Sequence, residues 1–259
     1  MTDMANAQRT PGEVRMQVEG NVAVVTVSSP EVRNGLTAEM GRQLAEHCDA
    51  IDADLSIGAA IIRGDQGTFC SGADTRAWGA NVDPASEEAY AGTSAVYEAF
   101  MRVGQLKVPT IAAARGAAVG AGMNLFLATD LRVVATNIRL LAGFLRIGIH
   151  PGGGFFTLAG RSGGREVAAA LGLFSQEISG EEAVRLGLAW VAVPDDMVDE
   201  KAQELAQLAA RDPELTRHAL ASFRTELGPP PVSWGAALEM ERGIQMWSQR
   251  RRQMRLEGS

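Results

Sequence analysis

Cysteine is scarce in this chain of 259 residues, which contains only Cys48 and Cys70. Two thiols are too few to hold together a fold of this size, and neither stands in a Cys-x-x-Cys or a mixed Cys/His pattern. We therefore expect no disulfide framework, no metal site and a reducing compartment.

Basic residues are outnumbered as well, because 24 Lys and Arg stand against 31 Asp and Glu and the formal net charge is -7. Such a chain has no basic face for a phosphate backbone, so we expect no nucleic-acid partner. Long apolar runs are missing too, since charged residues interrupt each one before the roughly 18 residues that a membrane span needs. Residues 1–14 lack the apolar stretch of a signal peptide. We expect a cytoplasmic protein without membrane contact.

Hydrophobic residues make up 46% of the chain, which is enough for a sizeable core. Short runs rich in β-branched residues alternate with helical patterns, and this alternation is typical of an α/β fold. The predicted strands cover residues 22–28, 59–63, 110–113 and 131–134.

Two helices are predicted from capping chemistry and spacing. Thr37 is a candidate N-cap ahead of an apolar face that includes Met40 and Leu44, and Ser179 with Glu182 has capping-box spacing. After Val193 the strand signal stops, and helical patterns follow over residues 197–210, 214–227 and 233–256. We therefore divide the chain into a mixed domain over residues 1–195 and a helical region over 196–259.

Glycine-rich segments mark the candidate site. Residues 68–74 follow a predicted strand, and Gly72 permits a tight turn that leaves the backbone N–H of Ala73 free to face a cleft. Residues 110–124 run from a strand through Gly and Ala into a helix, whose N-terminal N–H groups favour negative charge. Two such turns can form an oxyanion hole.

Four segments resemble, in order and spacing, the crotonase family of enoyl-CoA hydratases and isomerases. They are residues 22–36, 69–74, 116–130 and 147–154. The resemblance implies a β-β-α superhelical spiral with a helical C-terminal trimerisation region, assembled as a homotrimer or homohexamer. It also implies an acyl-CoA thioester substrate, with no cofactor beyond the CoA moiety of that substrate.

The resemblance also implies roles for individual residues. The thioester carbonyl would accept hydrogen bonds from the N–H groups of Ala73 and Ala121, which would stabilise an enolate. Candidates for binding the rest of the substrate are Arg33, Ser71, Gly72, Asp74, Arg76 and Gly120.

This sequence departs from the family where hydratases carry two glutamates, because those positions hold Asn124 and Phe144. Neither side chain can exchange a proton near neutral pH. His150 is the remaining candidate acid or base, and its alternative role is to cap a loop or meet a subunit interface. Asn124 either hydrogen-bonds a substrate oxygen or a water, or is a satisfied buried amide.

We therefore expect an acyl-CoA enzyme resembling enoyl-CoA hydratase/isomerase, a lyase or an isomerase. The alternative is a non-catalytic acyl-CoA binding member of the family. Cys70 is interpreted as a packing residue rather than a nucleophile. The basic cluster Arg250, Arg251, Arg252 and Arg255 is either a solvated helix end or a phosphate contact.

Overall fold

A computed structural model describes residues 11–74 and 86–230, together with 233, 236, 238, 242–244, 246, 247, 251 and 254. Arg76, Arg250, Arg252 and Arg255 lie outside the described residues, so their predicted roles stay predictions. The described positions from 236 to 254 are helical, as the pattern over 233–256 predicts.

The strands belong to two sheets. They are β1 (Glu13–Glu19), β2 (Val22–Ser28), β3 (Ala59–Gly64), β4 (Thr110–Ala114), β5 (Ala117–Val119), β6 (Leu131–Ala135), β7 (Arg139–Leu141), β8 (Glu177–Ile178) and β9 (Val191–Val193). The larger sheet has the order β1-β2-β3-β4-β6-β9 and is parallel except for the β1–β2 pair. The smaller sheet has the order β5-β7-β8.

The helices connect and cover these strands. They are α1 (Ala38–Ala53), α2 (Glu87–Gln105), α3 (Ala121–Ala128), α4 (Phe155–Gly172), α5 (Gly180–Arg185), α6 (Val198–Ala209) and α7 (Pro213–Glu226). None of the helices that the structure describes has both the length and the apolarity to cross a bilayer.

The core lies around the larger sheet. Strand β4 is buried along its whole length, as parallel strands covered on both faces are. Helix α1 packs against β1 and β2, while α6 packs against β3, β4 and β6. Helix α6 brings Val198, Ala202 and Ala206 into the same core. The division of the chain near Asp195 stays a prediction.

The two predicted caps are confirmed. The Thr37 side chain accepts a hydrogen bond from Met40 N at the start of α1, and Met40 and Leu44 are buried on its inner face. Ser179 and Glu182 form a complete capping box at the start of α5. These helices begin where a side-chain acceptor satisfies the first free N–H groups.

Several strands of the two sheets were not predicted from the sequence. Strands β1, β5, β7 and β8 were not predicted, and the longest of these, β1, is largely exposed and alternates charged with apolar residues. Strand β5 has three residues and leads through Gly120 directly into α3. Helix α3 starts at Ala121, within the predicted strand-to-helix junction of residues 110–124, and is buried from Gly122 to Leu127. It packs between α2 and α4, so its first turn has a fixed place in the interior.

Candidate active site

A cavity of about 750 Å³ lies between the turn after β3, the start of α3, helix α2 and the segment from β7 to α4. It collects most of the site residues that the sequence predicts. Those that line it are Ser71, Gly72, Ala73, Gly120, Ala121, Asn124 and His150. Arg33 and Asp74 do not line it; Arg33 is exposed on the neighbouring turn.

The first turn leaves one N–H group unused. Leu36 pairs with Ala73 as a parallel bridge, in which Leu36 N donates to Gly72 O and Asp74 N donates to Leu36 O, both at 2.8 Å. The N–H of Ala73 lies between these bonds and has no backbone acceptor in the described chain. Gly72 makes this turn possible, because its φ of 114° is one that residues with a Cβ rarely adopt.

The second turn presents another free N–H group. Gly120 N donates to Leu141 O at 3.0 Å and thereby fixes the turn to β7. Ala121 is the first residue of α3, so its N–H has no acceptor one turn earlier in the helix. The positive end of the helix dipole adds to the field at this point.

The two turns lie against each other. Cys70 N donates to Ala117 O, and Val119 N donates to Cys70 O, both at 3.0 Å. A Cβ added to Gly72 would lie 3.8 Å from Ala121 N, and one added to Gly122 would collide with Cys70 O. Small residues are therefore required on both sides of this junction, and the N–H groups of residues 73 and 121 border the same cavity.

The segment after β2 holds the first turn in place. Asn34 is almost completely buried, and its Nδ2 donates to Asp65 O at 2.8 Å and to Thr68 O at 2.6 Å. The Ser71 hydroxyl donates to Val32 O at 2.6 Å. Ser71 thus lines the cavity while its side chain is used to fix the turn.

Cys70 is a packing residue, as predicted. Its thiol is fully buried next to the first turn, and this burial raises its pKa to about 12. A thiol with such a pKa carries almost no thiolate at neutral pH, so it is a poor nucleophile.

His150 is exposed on the wall of the cavity. Its Nδ1 lies 2.7 Å from Pro151 O. Because a carbonyl only accepts, this contact places the proton of the neutral ring on Nδ1 and leaves Nε2 as a basic nitrogen. The ring therefore has the chemistry of a general base.

Asn124 is buried, with an exposed fraction of 1%. Its Nδ2 donates to Gly152 O at 2.9 Å and to Gly153 O at 2.7 Å, so the amide fixes the glycine loop ahead of α4. Its Oδ1 has no hydrogen-bond partner among the described residues. The nitrogen is satisfied, as the buried-amide interpretation expects, and a role of the oxygen toward a substrate or a water stays a prediction.

The apolar wall of the cavity comes mainly from residues outside the predicted site. Phe144 is buried with its ring centroid 5.6 Å from that of Phe155. Val96, Tyr97 and Phe100 of α2 form the facing wall. Phe100 follows Val96 by four residues and Tyr97 by three, and this helical spacing is the signal that could have identified them.

Comparison with known proteins identifies the family of this chain. The family model for enoyl-CoA hydratase/isomerase matches residues 17–255. The chain belongs to this family. It is 39% identical over 217 residues to the probable enoyl-CoA hydratase EchA14 of Mycobacterium tuberculosis, covering 83% of each protein.

Other members of the family extend the comparison. The chain is 32% identical to the 1,2-epoxyphenylacetyl-CoA isomerase of Escherichia coli over 80% of its own length and 81% of that protein. It superimposes on the crystal structure of an enoyl-CoA hydratase from Polaromonas sp. JS666 with a TM-score of 0.82, at 27% identity and 91% coverage of both chains. The crotonase fold and the family inferred from the four segments are confirmed, and the protein is an enzyme of this family.

Proposed function

We propose that this protein binds an acyl-CoA thioester in the cavity and polarises its carbonyl through the N–H groups of Ala73 and Ala121. Abstraction of the α-proton would then give an enolate whose oxygen these donors stabilise. Preorganised donors of this kind contribute strongly to catalysis, because removing one such donor costs about 10²- to 10³-fold in rate.

One observation carries this proposal. Two N–H groups without acceptors in the described backbone come from separate turns that are packed together, and both border one cavity. The Gly72 turn approaches α3 so closely that an added Cβ would lie 3.8 Å from Ala121 N. Unpaired N–H groups beside a cavity are costly unless a ligand or water uses them.

We assign the proton transfer to His150, because the two family glutamates are replaced by Asn124 and Phe144. His150 lines the same cavity and keeps a basic Nε2 when Nδ1 donates to Pro151 O. The one carboxylate among the described lining residues belongs to Glu88, which is exposed in the first turn of α2.

The test is α-proton exchange. The protein is incubated with saturated and 2-enoyl thioesters in deuterated water, and mass spectrometry follows deuterium at the α-carbon and addition of water. We expect exchange with at least one thioester, reduced about 100-fold or more in His150→Ala because a general base is lost. His218→Ala, at an exposed position on α7, serves as the control and should exchange like the wild type.

Two results would contradict the proposal. Binding without exchange or conversion across the panel would identify a non-catalytic acyl-CoA binder. Exchange that persists undiminished in His150→Ala would remove this side chain from the mechanism while leaving the backbone donors in place.

We also propose that the protein assembles as a homotrimer or homohexamer, as its resemblance to the family implies. Several large apolar side chains near the glycine loop and α4 are exposed in the single chain. They are Leu145, Ile147, Ile149, Phe156, Leu173 and Phe174. Exposed apolar groups of this number favour a covered face. Sedimentation velocity of the purified protein measures the assembly, and a monomer at micromolar concentration would contradict it.

A further inference from the structure

Tyr97 is a polar group beside an apolar part of the cavity wall. The buried side chains that line the cavity include Val96, Phe100, Leu141 and Phe144, and the one buried polar side chain among the described lining residues is Asn124. The Tyr97 ring lies beside Phe100, with 6.4 Å between ring centroids, and this contact holds it against the cavity. Its hydroxyl has no hydrogen-bond partner among the residues that the structure describes.

The Tyr97 hydroxyl reaches across the cavity to the glycine loop. A Cβ added to Gly152 would overlap Tyr97 Oη. A Cβ added to the next residue, Gly153, would lie 2.6 Å from Asn124 Nδ2. The phenol and the amide therefore converge on two adjacent residues, and both glycines are needed to admit them.

Asn124 supplies the complementary group. Both hydrogens of Nδ2 are used on the glycine carbonyls, and Oδ1 is a buried acceptor that has no partner in the described part of the chain. Buried acceptors are almost always satisfied in folded proteins, and an exception at a ligand cavity points to a donor that the ligand brings.

The two free groups differ in what they offer. Asn124 Oδ1 can only accept a hydrogen bond, whereas the Tyr97 phenol can donate one. A hydroxyl group on the ligand satisfies both, because it donates to the amide oxygen and accepts from the phenol. A hydrocarbon chain satisfies neither, and a ketone can accept only from the phenol.

We propose that Tyr97 is a specificity-determining residue, which together with Asn124 Oδ1 binds a hydroxyl group on the acyl chain of the thioester. This inference rests on the proposed function, because it requires the acyl chain to enter this cavity. It assigns the recognition of the acyl chain to a phenol on α2 and an amide on α3, in a cavity whose family carboxylates are absent.

The experiment compares ligands that differ in one hydroxyl. Dissociation constants are measured by calorimetry for butanoyl-CoA, 3-hydroxybutanoyl-CoA and 4-hydroxybutanoyl-CoA, with mass spectrometry confirming that each ligand is intact. Of the two hydroxylated ligands, we expect the one that binds more tightly to exceed the affinity of butanoyl-CoA about 5- to 30-fold, as one or two net hydrogen bonds would give.

The chain provides a matched pair of variants, because it has two tyrosines on the same helix. Tyr97→Phe keeps the ring and removes the hydroxyl, so the preference for the hydroxylated ligand should fall about 5- to 10-fold. Tyr90→Phe is the control, since Tyr90 is 77% exposed and does not line the cavity. Gly152→Ala, whose methyl group would displace the phenol, should reduce the preference as Tyr97→Phe does.

The outcomes separate this inference from the proposed function. Equal binding of butanoyl-CoA and both hydroxylated ligands to the wild type would overturn the role of Tyr97 alone. Tyr97→Phe weakening all three ligands by the same factor would also overturn it, because a purely structural role has that effect. If no thioester binds at all, the proposed function itself fails.

Discussion

Substitution of Gly72 by alanine tests whether the first turn presents an N–H donor to the thioester. Gly72 has a φ of 114°, and its added Cβ would lie 3.0 Å from Val119 O and 3.8 Å from Ala121 N. The methyl group would therefore stand between the two turns whose N–H groups are proposed to meet at one oxygen. Relief of this contact must move the turns apart by a few tenths of an ångström.

Two separate effects are expected from Gly72→Ala. Placing alanine in a left-handed conformation costs about 1–2 kcal/mol of folding stability, whatever surrounds it. Separation of the turns lengthens at least one donor bond to the oxyanion, and loss of such a bond costs about 10²- to 10³-fold in rate. The loss of stability arises from backbone strain alone, whereas the loss of rate arises from the changed donor geometry in the site.

Gly67 provides the control that separates these effects. It also has a positive φ, of 77°, but a Cβ added there has nothing within 4 Å. Gly67→Ala should therefore lose a similar amount of stability and retain its rate of α-proton exchange. Both variants are assayed by deuterium exchange into a thioester, with urea denaturation giving the free energy of unfolding.

The comparison has a clear refuting result. If Gly72→Ala and Gly67→Ala both exchange the α-proton as fast as the wild type, when corrected for the folded fraction, the junction of the two turns is not where the carbonyl binds. Equal loss of exchange in both variants would show that strain in this part of the chain, rather than donor geometry, limits the reaction.

Further predictions concern groups around the site. Asn124→Ala removes both hydrogen bonds to the glycine loop and should lower the free energy of unfolding, measured in urea, by about 2–4 kcal/mol. A loss below about 1 kcal/mol would mean that the loop keeps its conformation without these bonds. The Ser28 hydroxyl donates a hydrogen bond to the Asp65 carboxylate and lowers the pKa of that group below 3.8. The bond therefore stabilises the folded state above pH 3.8, and this contribution is lost as the pH falls through the lowered pKa. Ser28→Ala should therefore cost about 1 kcal/mol at pH 7 and much less at pH 2.5, and an equal cost at both would contradict this account. Burial raises the pKa of the Cys48 and Cys70 thiols to about 12, so iodoacetamide at pH 8 should modify both only after unfolding, as intact-mass spectrometry would show.

The parallel strands of the core could be predicted from sequence because their signal is local. Val22–Ser28 and Thr110–Ala114 are continuous apolar runs, as strands covered on both faces are. The short strands of the second sheet carry no such signal. Strand β8 has two residues, Glu177–Ile178, and exists because Leu140 and Leu141 of β7 lie beside it. Pairing of this kind depends on tertiary contacts rather than on local propensity.

The backbone part of the candidate site could be located from sequence, since Gly72 marks a turn and residues 110–124 mark a strand-to-helix junction, although the helix start at Ala121 was not predicted. The side-chain part was harder. Tyr97 comes from a helix remote in sequence from the glycine clusters, and only its spacing with Val96 and Phe100 marks it as facing inward. Conversely, Arg33 was predicted to bind the substrate but is exposed and does not line the cavity. The buried residue of that turn is its neighbour Asn34. The buried amide fixes the turn while its neighbour faces solvent.

The division between backbone and side-chain groups also bears on how this family changes its chemistry. A donor that is a peptide N–H survives any substitution that preserves the turn, so under the proposed function Ala73 and Ala121 would keep enolate stabilisation while the sequence around them varies. A proton-transfer group is a side chain, and one substitution removes it. The resemblance to the family places Asn124 and Phe144 at the positions of its two glutamates, and Phe144 makes that part of the cavity apolar. Under the proposed function, the turns would determine which anion is stabilised, whereas the side chains that surround the acyl chain would determine which proton moves and which substrate is accepted.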